Sequence, residues 1–478
     1  METPPEGQEL RAVLEAKLQP FAQGALAAFG LAGLAVGVVR AGRLVYAQGF
    51  GVRSLATGEP VTPRSLFHLA SVSKPFVATA IVQLVERGRI GLDEPVRTYL
   101  PYFRLRDPRH KAITVRRLLT HTSGMPDEVE PRWHAPEDDD GALERYVRGL
   151  ADRELRFEPG ERYAYSNIAF EVLGDVVAKV AGQTFEDYVK AHILDPLAMG
   201  HSTFLRREVA PALAVTPHFG MPMVVLEGAY PYHRAHGPSS TLHSSVEEMS
   251  HWLIANMARG RFGGGQILRP ESYDLLWHPY VRTGEEIWTE ALGLSWQFGT
   301  YRGRQVIHHS GSDPGFSSEL VILPEADAAV VVFVNANTAA TGIVTDATLD
   351  ILLGLDPEPP RPPITVPLGA ALAASGPEAA GELYRRLQAT EPDRYDASPS
   401  RFLQATWGAV ELHRLDAVMP LVRLWVALQP DAALAHEVLG WAQLIRGERE
   451  AAAENLRRAL DLDPAGEHAR GLLELLGA

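Results

Sequence analysis

The chain has 478 residues, of which 46% are hydrophobic and 22% charged, values typical of a globular protein with a large buried core. Its formal net charge of −14 at pH 7 argues against nucleic acid and anionic membranes as partners. The absence of cysteine excludes disulfides, a thiol nucleophile and a thiolate metal site. The segment from Met1 to Glu6 lacks the basic region and apolar core of a signal peptide, so we expect a cytoplasmic protein.

The amino-terminal segment predicts a helix and then a β-hairpin. Glu9 to Phe29 has helical periodicity, and two β-rich runs, Leu34 to Arg40 and Leu44 to Phe50, are joined through Ala41-Gly42. A long and mostly helical region follows, from Ser71 to about Gly260. Two helices stand out within it, and their ranges are Ser71 to Arg87 and Ala169 to Val180.

Strand signals return only after this helical region. Short β-rich runs separated by turns are Gly293 to Thr300, Gln305 to His309, Ser317 to Leu323 and Ala328 to Asn335, and a closing helix is predicted at Ile343 to Leu353. Strands at both ends indicate a single antiparallel sheet with the helical region inserted on one side. The predicted fold class is therefore α+β: an antiparallel sheet flanked by helices with a large helical insertion, plus an all-α carboxy-terminal domain.

A proline-rich stretch divides the chain. Residues 356–368 contain six prolines and predict a stiff linker between a domain at 1–355 and a tail at 369–478. The tail is rich in Ala, Leu, Arg and Glu, and its Leu-x-Pro pattern at Pro430 recurs at Pro464, which is a spacing of 464 − 430 = 34 residues. That period resembles the tetratricopeptide repeat. Such a tail could bind a protein partner or mediate self-association, and a helical cap on the first domain is the alternative.

The most informative motif is Ser71-Val72-Ser73-Lys74, at the predicted start of a helix. Positions three apart share a helix face, so the Ser71 hydroxyl and the Lys74 amine can touch. A serine becomes a strong nucleophile when a base takes its proton, and a lysine with a lowered pKa can be that base whereas arginine cannot. Only five residues of the chain are lysines: Lys17, Lys74, Lys111, Lys179 and Lys190. Even so, chance would produce such a motif in about one chain in four.

Two further motifs strengthen the serine–lysine pair. Tyr165-Ser166-Asn167 follows a turn, and His309-Ser310-Gly311 ends a predicted strand. The ordered set Ser-x-x-Lys, Tyr-x-Asn and [Lys/His]-[Ser/Thr]-Gly resembles the serine β-lactamase and penicillin-binding-protein superfamily, in particular its class C-like branch. The resemblance covers about residues 10–355 and not the tail. The flanking segments agree with it, and they are Gly91 to Val96, Leu118 to Pro126 and His309 to Phe316.

The resemblance implies a role for each motif. Ser71 attacks a carbonyl and forms an acyl-enzyme, while Lys74 and Tyr165 share the proton transfers. Which of these two is the general base stays open. The backbone N–H groups of Ser71 and Ser312 form the oxyanion hole. The substrate contacts that the resemblance implies are Asn167, His309, Ser310 and Gly311. It implies no metal and no cofactor.

Position 309 departs from β-lactamases, which carry a lysine there that grips the substrate carboxylate. His309 is mostly neutral at pH 7 and offers a weaker charge. In this it resembles the esterases, D-amino-acid amidases and D-aminopeptidases of the branch. We therefore predict a serine hydrolase that cleaves an ester, amide or small-peptide bond of a small molecule or peptide. The alternatives are a true β-lactamase or D-Ala-D-Ala carboxypeptidase, and a catalytically silent scaffold that binds partners through the tail.

Other residues near the motifs are expected to have structural roles. His121 and Ser123 should shape a loop. His308 and His309, with Asp313, should not form a metal site, because successive strand residues point to opposite faces. We expect the substrate pocket to be lined by the helical region between about Pro126 and Gly260. Three aromatics are candidates for either the pocket or the core: Trp288, Trp296 and Phe316.

Overall fold

The computed structural model describes residues 6–284 and 288–477. The segment Met1 to Pro5, on which much of the cytoplasmic prediction rests, lies outside the described residues. Within the described part of the chain, no helix is both long enough and apolar enough to cross a membrane.

An antiparallel sheet forms the centre of the first 355 residues. In the described residues, the strands in chain order are β1 (Gly33–Arg40), β2 (Arg43–Gly51), β3 (Phe67–His68), β4 (His243–Ser244), β5 (Arg261–Phe262), β6 (Gly265–Gln266), β7 (Val281–Arg282), β8 (Ala291–Leu292), β9 (Gln297–Tyr301), β10 (Arg304–Asp313), β11 (Phe316–Leu323) and β12 (Ala328–Val334). The main sheet has eight of these strands in the order β2-β1-β12-β11-β10-β9-β8-β7. The strand pairs β3–β4 and β5–β6 lie outside it.

Helices cover this sheet and form the carboxy-terminal tail. Across the described residues they are α1 (Glu6–Ala28), α2 (Lys74–Glu86), α3 (Val115–Leu119), α4 (Ala142–Gly149), α5 (Asn167–Ala181), α6 (Phe185–Val189), α7 (Gly237–Ser240), α8 (Val246–Met257), α9 (Tyr273–Leu276), α10 (Ala340–Leu352), α11 (Thr365–Thr390), α12 (Pro399–Glu411), α13 (Met419–Leu428), α14 (Ala433–Ile445), α15 (Arg449–Leu462) and α16 (Glu467–Leu476).

Both faces of the sheet are covered, which explains why its central strands are apolar throughout. Every residue of β12 is buried, as expected for a strand that packs on two sides. One face packs against α1 and α10 through residues such as Leu18 and Val344. The other packs against α2 and α8, where the rings of Phe76 and Trp252 stack with centroids 3.9 Å apart. The predicted fold class is confirmed, with the helical insertion lying between β2 and β7 and an all-helical region after β12.

The last strands differ from the sequence prediction in two places. Of the run predicted at 293–300, only residues 297–300 lie in a strand, β9. Residues 293–296 form a tight turn after β8, in which Ser295 has a φ of 72° and the Gly293 N–H donates to the Trp296 carbonyl at 2.8 Å. In contrast, β10 continues four residues beyond His309, because it pairs with β11 as far as Asp313. Pairing with a neighbouring strand there outweighs the low strand propensity of glycine and serine.

The tail begins earlier than its sequence suggested and packs on the first domain. Helix α11 starts at Thr365, so the extended proline-rich segment ends before residue 368. In the tail, α14 and α15 approach closely, since a Cβ at Gly440 would lie 2.8 Å from Leu456 Cγ. Salt bridges join the tail to the first domain, and one of them is between Arg156 and Glu467 of α16. The domain division at 356–368 and the tetratricopeptide assignment stay predictions.

Candidate active site

Ser71 lies on a strained turn that leads into a helix. A 3₁₀ turn from Ala70 to Ser73 precedes α2, and Ala70 has a φ of 48°, in the left-handed region that non-glycine residues rarely adopt. Three hydrogen bonds hold this turn: the Ser318 hydroxyl donates to the Leu69 carbonyl at 2.6 Å, the Leu69 N–H to the Leu242 carbonyl at 2.8 Å, and the Leu242 N–H to Ser73 Oγ at 3.0 Å. The surrounding structure therefore fixes the serine at the start of the helix.

The three residues predicted to be catalytic meet at the Ser71 hydroxyl. Lys74 Nζ lies 2.9 Å from Ser71 Oγ, and Tyr165 OH lies 2.9 Å from the same atom. The Tyr165 ring also lies 5.0 Å from Lys74 Nζ, measured to the ring centroid. Two groups that can exchange protons thus contact one hydroxyl, although 94 residues of sequence separate Tyr165 from Ser71.

The orientation of the Lys74 amine is set by two groups that can only accept hydrogen bonds. Nζ lies 2.7 Å from Asn167 Oδ1 and 2.9 Å from the carbonyl oxygen of Ser239. A neutral amine has two N–H groups and one lone pair. When the two N–H groups donate to these acceptors, the lone pair is directed to the third neighbour, Ser71 Oγ. The site is therefore arranged so that an uncharged Lys74 can take the serine proton.

Burial favours the uncharged forms of both proton-transfer groups. The Lys74 side chain is fully buried, and this lowers its pKa to about 8, although the nearby carboxylate of Glu171 acts in the opposite direction. Burial of the phenol raises the pKa of Tyr165 well above its ordinary value. The electrostatics thus suit lysine as a base and tyrosine as a proton donor.

Asn167 is held by a residue that the sequence motifs did not reveal. The Asp127 carboxylate accepts the Asn167 backbone N–H at 2.7 Å and its side-chain Nδ2 at 3.3 Å. This contact turns the amide oxygen of Asn167 toward Lys74. Ser166 caps α5 by accepting the Ala169 N–H at 3.2 Å, which places Asn167 at the first position of the helix. No motif marks Asp127, because its role depends on a loop that only the fold brings close.

The imidazole ring of His121 packs against the ring of Tyr165. The two rings stack with centroids 4.3 Å apart, and the Ser166 backbone N–H donates to His121 Nδ1 at 3.1 Å. Burial, together with the nearby Lys74 charge, keeps the pKa of His121 well below its ordinary value. His121 therefore holds the loop and the tyrosine in place as a neutral ring.

Strand β10 runs past the serine and has no room for a side chain at Gly311. A Cβ there would lie 2.4 Å from the Leu69 carbonyl and 2.8 Å from the Ser71 backbone nitrogen. Glycine thus lets the strand approach the turn before α2. Ser310 and Ser312, on either side of it, line the cavity beside Ser71.

His309 carries no charge at neutral pH. Burial, assisted by the Lys74 charge, lowers its pKa to about 3. Its Nδ1–H donates to the Ser310 carbonyl at 2.8 Å, which leaves Nε2 as an acceptor. Position 309 therefore cannot supply the positive charge that grips a substrate carboxylate.

The residues considered for a metal have other partners. His308 Nε2 lies 2.7 Å from the Trp288 carbonyl, and Asp313 lies 2.7 Å from His68 Nε2. Among the described residues, one other group could hold a metal ion, with its ligand atoms within 4.8 Å of one another: Glu130, His134 and His413. It joins the 126–134 loop to the turn after α12, and none of its members lines the cavity at Ser71.

The cavity beside Ser71 has a volume of about 330 Å³. Its described lining residues are Ser71, Tyr165, Gln297, His309, Ser310, Gly311, Ser312, Ser317, Ser318, Thr338, Thr341 and Gln404. The expectation that residues 126–260 line the pocket was wrong except for Tyr165. The sheet, the segment after β12 and Gln404 of α12 form the walls instead, because the tail packs over this side. Trp296 and Phe316 are fully buried in the core, and Trp288 packs beside Tyr301.

The family comparison agrees with this geometry. Residues 18–355, more than two thirds of the chain, match the family model described as Beta-lactamase. Protein flp of Staphylococcus aureus strain MW2 is 25% identical over 312 residues, which cover 64% of this chain and 60% of that protein. Esterase EstB of Burkholderia gladioli is 36% identical over 230 residues, which cover 44% of this chain and 56% of the esterase. The chain thus aligns with little more than half the length of these relatives.

Solved structures show the same fold. The octameric penicillin-binding protein homologue from Pyrococcus abyssi matches with a TM-score of 0.65 and 27% identity, over 72% of this chain and 78% of that one. The D-amino acid amidase from Ochrobactrum anthropi SV3 matches in fold with a TM-score of 0.62 and 19% identity, over 71% of this chain and 99% of the amidase. With the family model spanning the sheet, the helical insertion and all three motifs, the chain belongs to the beta-lactamase family.

Proposed function

We propose that this protein hydrolyses small, uncharged carboxylic esters through an acyl-Ser71 intermediate. The observation that carries the proposal is the convergence of Lys74 Nζ and Tyr165 OH on Ser71 Oγ, each at 2.9 Å. The 36% identity with an esterase over 230 residues supports an ester as the substrate.

Acylation begins with the uncharged form of Lys74. Its amine takes the hydroxyl proton of Ser71 while Oγ attacks the ester carbonyl carbon. The backbone N–H groups of Ser71 and Ser312 stabilise the negative charge that develops on the carbonyl oxygen. When the C–O bond to the leaving group breaks, the departing alkoxide takes a proton from the Tyr165 hydroxyl, and Lys74 returns its proton to the tyrosine.

Water completes the cycle. It attacks the acyl carbon while Lys74 takes one of its protons. Lys74 then returns this proton to Ser71 Oγ as the bond between Oγ and the acyl carbon breaks, which releases the carboxylic acid and restores the free serine. Asn167 orients the lysine through its amide oxygen, and the neutral His309 in the cavity wall contacts the substrate.

The cavity favours an uncharged substrate. None of the described residues that line it is charged at neutral pH, since the pKa of His309 is about 3 and that of Tyr165 is raised. A β-lactam or a D-Ala-D-Ala peptide brings a carboxylate with no cation in the lining to receive it. A D-aminoacyl amide brings an ammonium group with no carboxylate to pair with it. The cavity therefore fits an esterase better than it fits a β-lactamase or a D-aminopeptidase.

The test is a substrate panel run on the full chain. It comprises p-nitrophenyl acetate and butyrate, nitrocefin, and D- and L-aminoacyl p-nitroanilides, with Ser71→Ala and the exposed-serine control Ser375→Ala beside the wild type. We expect turnover of the p-nitrophenyl esters that Ser71→Ala abolishes and Ser375→Ala leaves unchanged. Faster turnover of nitrocefin or of an anilide than of either ester would contradict the ester assignment.

The silent-scaffold alternative makes the opposite prediction. A fluorophosphonate probe should label Ser71 in an active hydrolase and should fail to label it in a scaffold. Binding of a protein partner, or self-association, through α11–α16 is a separate proposal that light scattering and pull-down with the full chain would address. The cytoplasmic location likewise stays a proposal.

A further inference from the structure

We propose that Gln404, in the carboxy-terminal tail, is a substrate-binding residue that donates a hydrogen bond to an acceptor oxygen of the substrate beyond the scissile ester. This inference rests on the proposed esterase function and names a feature of its substrate. The preferred substrate would be an uncharged ester that carries a second carbonyl in its acyl part.

The first step is that α12 docks closely on the wall of the cavity. A Cβ at Gly408 would lie 2.4 Å from Asn337 Oδ1 and 3.1 Å from Pro314 Cα, so the helix backbone contacts the turn between β10 and β11. Asn337 in turn donates to Ser312 Oγ at 3.1 Å and to the Asp313 carbonyl at 2.8 Å. The helix that carries Gln404 is thus in contact with residues that shape the cavity.

The second step is that the carboxamide of Gln404 has a defined orientation. Arg401 Nη1 donates to Gln404 Oε1 at 3.0 Å, and Arg401 Nε donates to Asp396 Oδ2 at 2.6 Å. A guanidinium group only donates, so the atom that faces Arg401 must be the amide oxygen. The Nε2 group points away from Arg401, and Gln404 lines the cavity.

The third step is that this amide nitrogen has two N–H donors to offer. Among the described residues, no hydrogen-bond partner of Gln404 Nε2 is found. The residue is half-buried, so a substrate that fills the cavity would displace water from these donors. A carbonyl oxygen restores the lost hydrogen bond, whereas an alkyl chain leaves the donors unpaired.

The size of the effect follows from the chemistry. A hydrogen bond between neutral groups changes an equilibrium or rate constant by about 2- to 10-fold. This range applies because both partners of the proposed hydrogen bond, the Gln404 amide and a substrate carbonyl, are neutral. Gln404 should therefore discriminate between esters of equal size by a few-fold, according to whether they carry the acceptor.

The experiment compares two esters of nearly equal size, p-nitrophenyl N-acetylglycinate and p-nitrophenyl pentanoate. Only the first has a carbonyl beyond the ester, and alkaline hydrolysis rates correct for intrinsic reactivity. The variants are Gln404→Met, which keeps the side-chain length without donors, and the matched control Gln388→Met on α11. Gln404→Met should lower kcat/KM for the N-acetylglycinate about 3- to 10-fold and leave the pentanoate within about twofold.

A second variant tests the orientation. Arg401→Met keeps Gln404 but removes the contact to its Oε1, and it should lower kcat/KM for the N-acetylglycinate about 2- to 3-fold. If Gln404→Met lowered kcat/KM equally for both esters, or for neither, this inference would be wrong. The proposed esterase function would stand, because the esters would still be hydrolysed. A wild type inert toward both esters would overturn the proposed function and this inference together.

Discussion

The two sides of the cavity are built in different ways. Ser71 and Tyr165, with Lys74 buried behind them, form its catalytic floor, where each polar atom has partners at 2.7–2.9 Å and burial shifts the pKa values. Gln404 belongs to the tail wall on α12, 333 residues after Ser71 (404 − 71), and it is half-buried and uncharged. The floor is predicted by short motifs, whereas the wall depends on how the helical tail packs on the first domain.

This difference predicts how the two sides respond to change. Removing a group from the floor leaves buried partners unsatisfied and removes a proton-transfer step. Removing a group from the wall costs one hydrogen bond to the substrate and leaves the chemical step intact. Floor variants should therefore change rates by orders of magnitude, and wall variants by a few-fold.

The largest effect is expected at Lys74. Lys74→Ala should lower kcat/KM for the best ester by about 10³-fold, because Ser71 loses its base. Lys74→Arg should not restore activity, since a guanidinium group stays protonated. Steady-state kinetics beside the exposed control Lys111→Ala gives the comparison. If Lys74→Ala lowered kcat/KM by less than tenfold, Lys74 would not be the general base.

A smaller effect is expected from Tyr165→Phe. The substitution removes the hydroxyl at 2.9 Å from Ser71 Oγ but keeps the ring that stacks on His121. We expect a fall in kcat/KM of about 10²-fold, with folding stability nearly unchanged. Tyr395→Phe, at a half-buried tyrosine of the tail, serves as the control. A similar loss in both variants would contradict a specific role in proton transfer.

The pH dependence of kcat/KM distinguishes Lys74 from a histidine as the general base. Lys74 must be deprotonated to act and has a pKa of about 8, so kcat/KM should rise about tenfold per pH unit below 8 and level off above it. His309 should give no inflection near pH 6.5, because its pKa is about 3. A pH–rate profile between pH 5.5 and 9.5, at constant ionic strength, measures this. A plateau that begins below pH 7 would contradict Lys74 as the base.

The smallest expected effect concerns the docking of the tail wall. Gly408→Ala places a Cβ against Asn337 Oδ1 and the Pro314 backbone, and it should lower the free energy of unfolding by about 1–3 kcal/mol. Gly381→Ala on α11 is the matched control, because its Cβ meets nothing within 4 Å, and it should stabilise the protein by about 0.5–1 kcal/mol. Urea unfolding followed by circular dichroism compares the two. Equal stabilities would contradict close packing of α12 on the cavity wall.

Much of the fold could be predicted because its signals are local. The hairpin of β1 and β2 and the closing helix α10 follow from hydrophobic periodicity and turn residues. So does the helix predicted from Ser71, although its first turn is 3₁₀ and α2 begins at Lys74. The division between β8 and β9 could not, because it depends on a positive φ at Ser295 that no propensity favours. The extension of β10 through Gly311 depends on pairing with β11, which a single strand does not reveal.

The candidate site shows the same limit. The sequence predicted Ser71 and Lys74 as a pair, since a serine and a lysine three residues apart on a helix share a face. The predictions for Tyr165 and Asn167 came from the resemblance of the ordered motifs to a known family. No motif indicated Asp127 or Gln404, because hydrogen bonds between distant segments exist only after the chain has packed. The sequence by itself determined that Ser71 and Lys74 lie together, because positions three apart on a helix share a face, whereas only long-range packing brings Tyr165, Asp127 and Gln404 to this site.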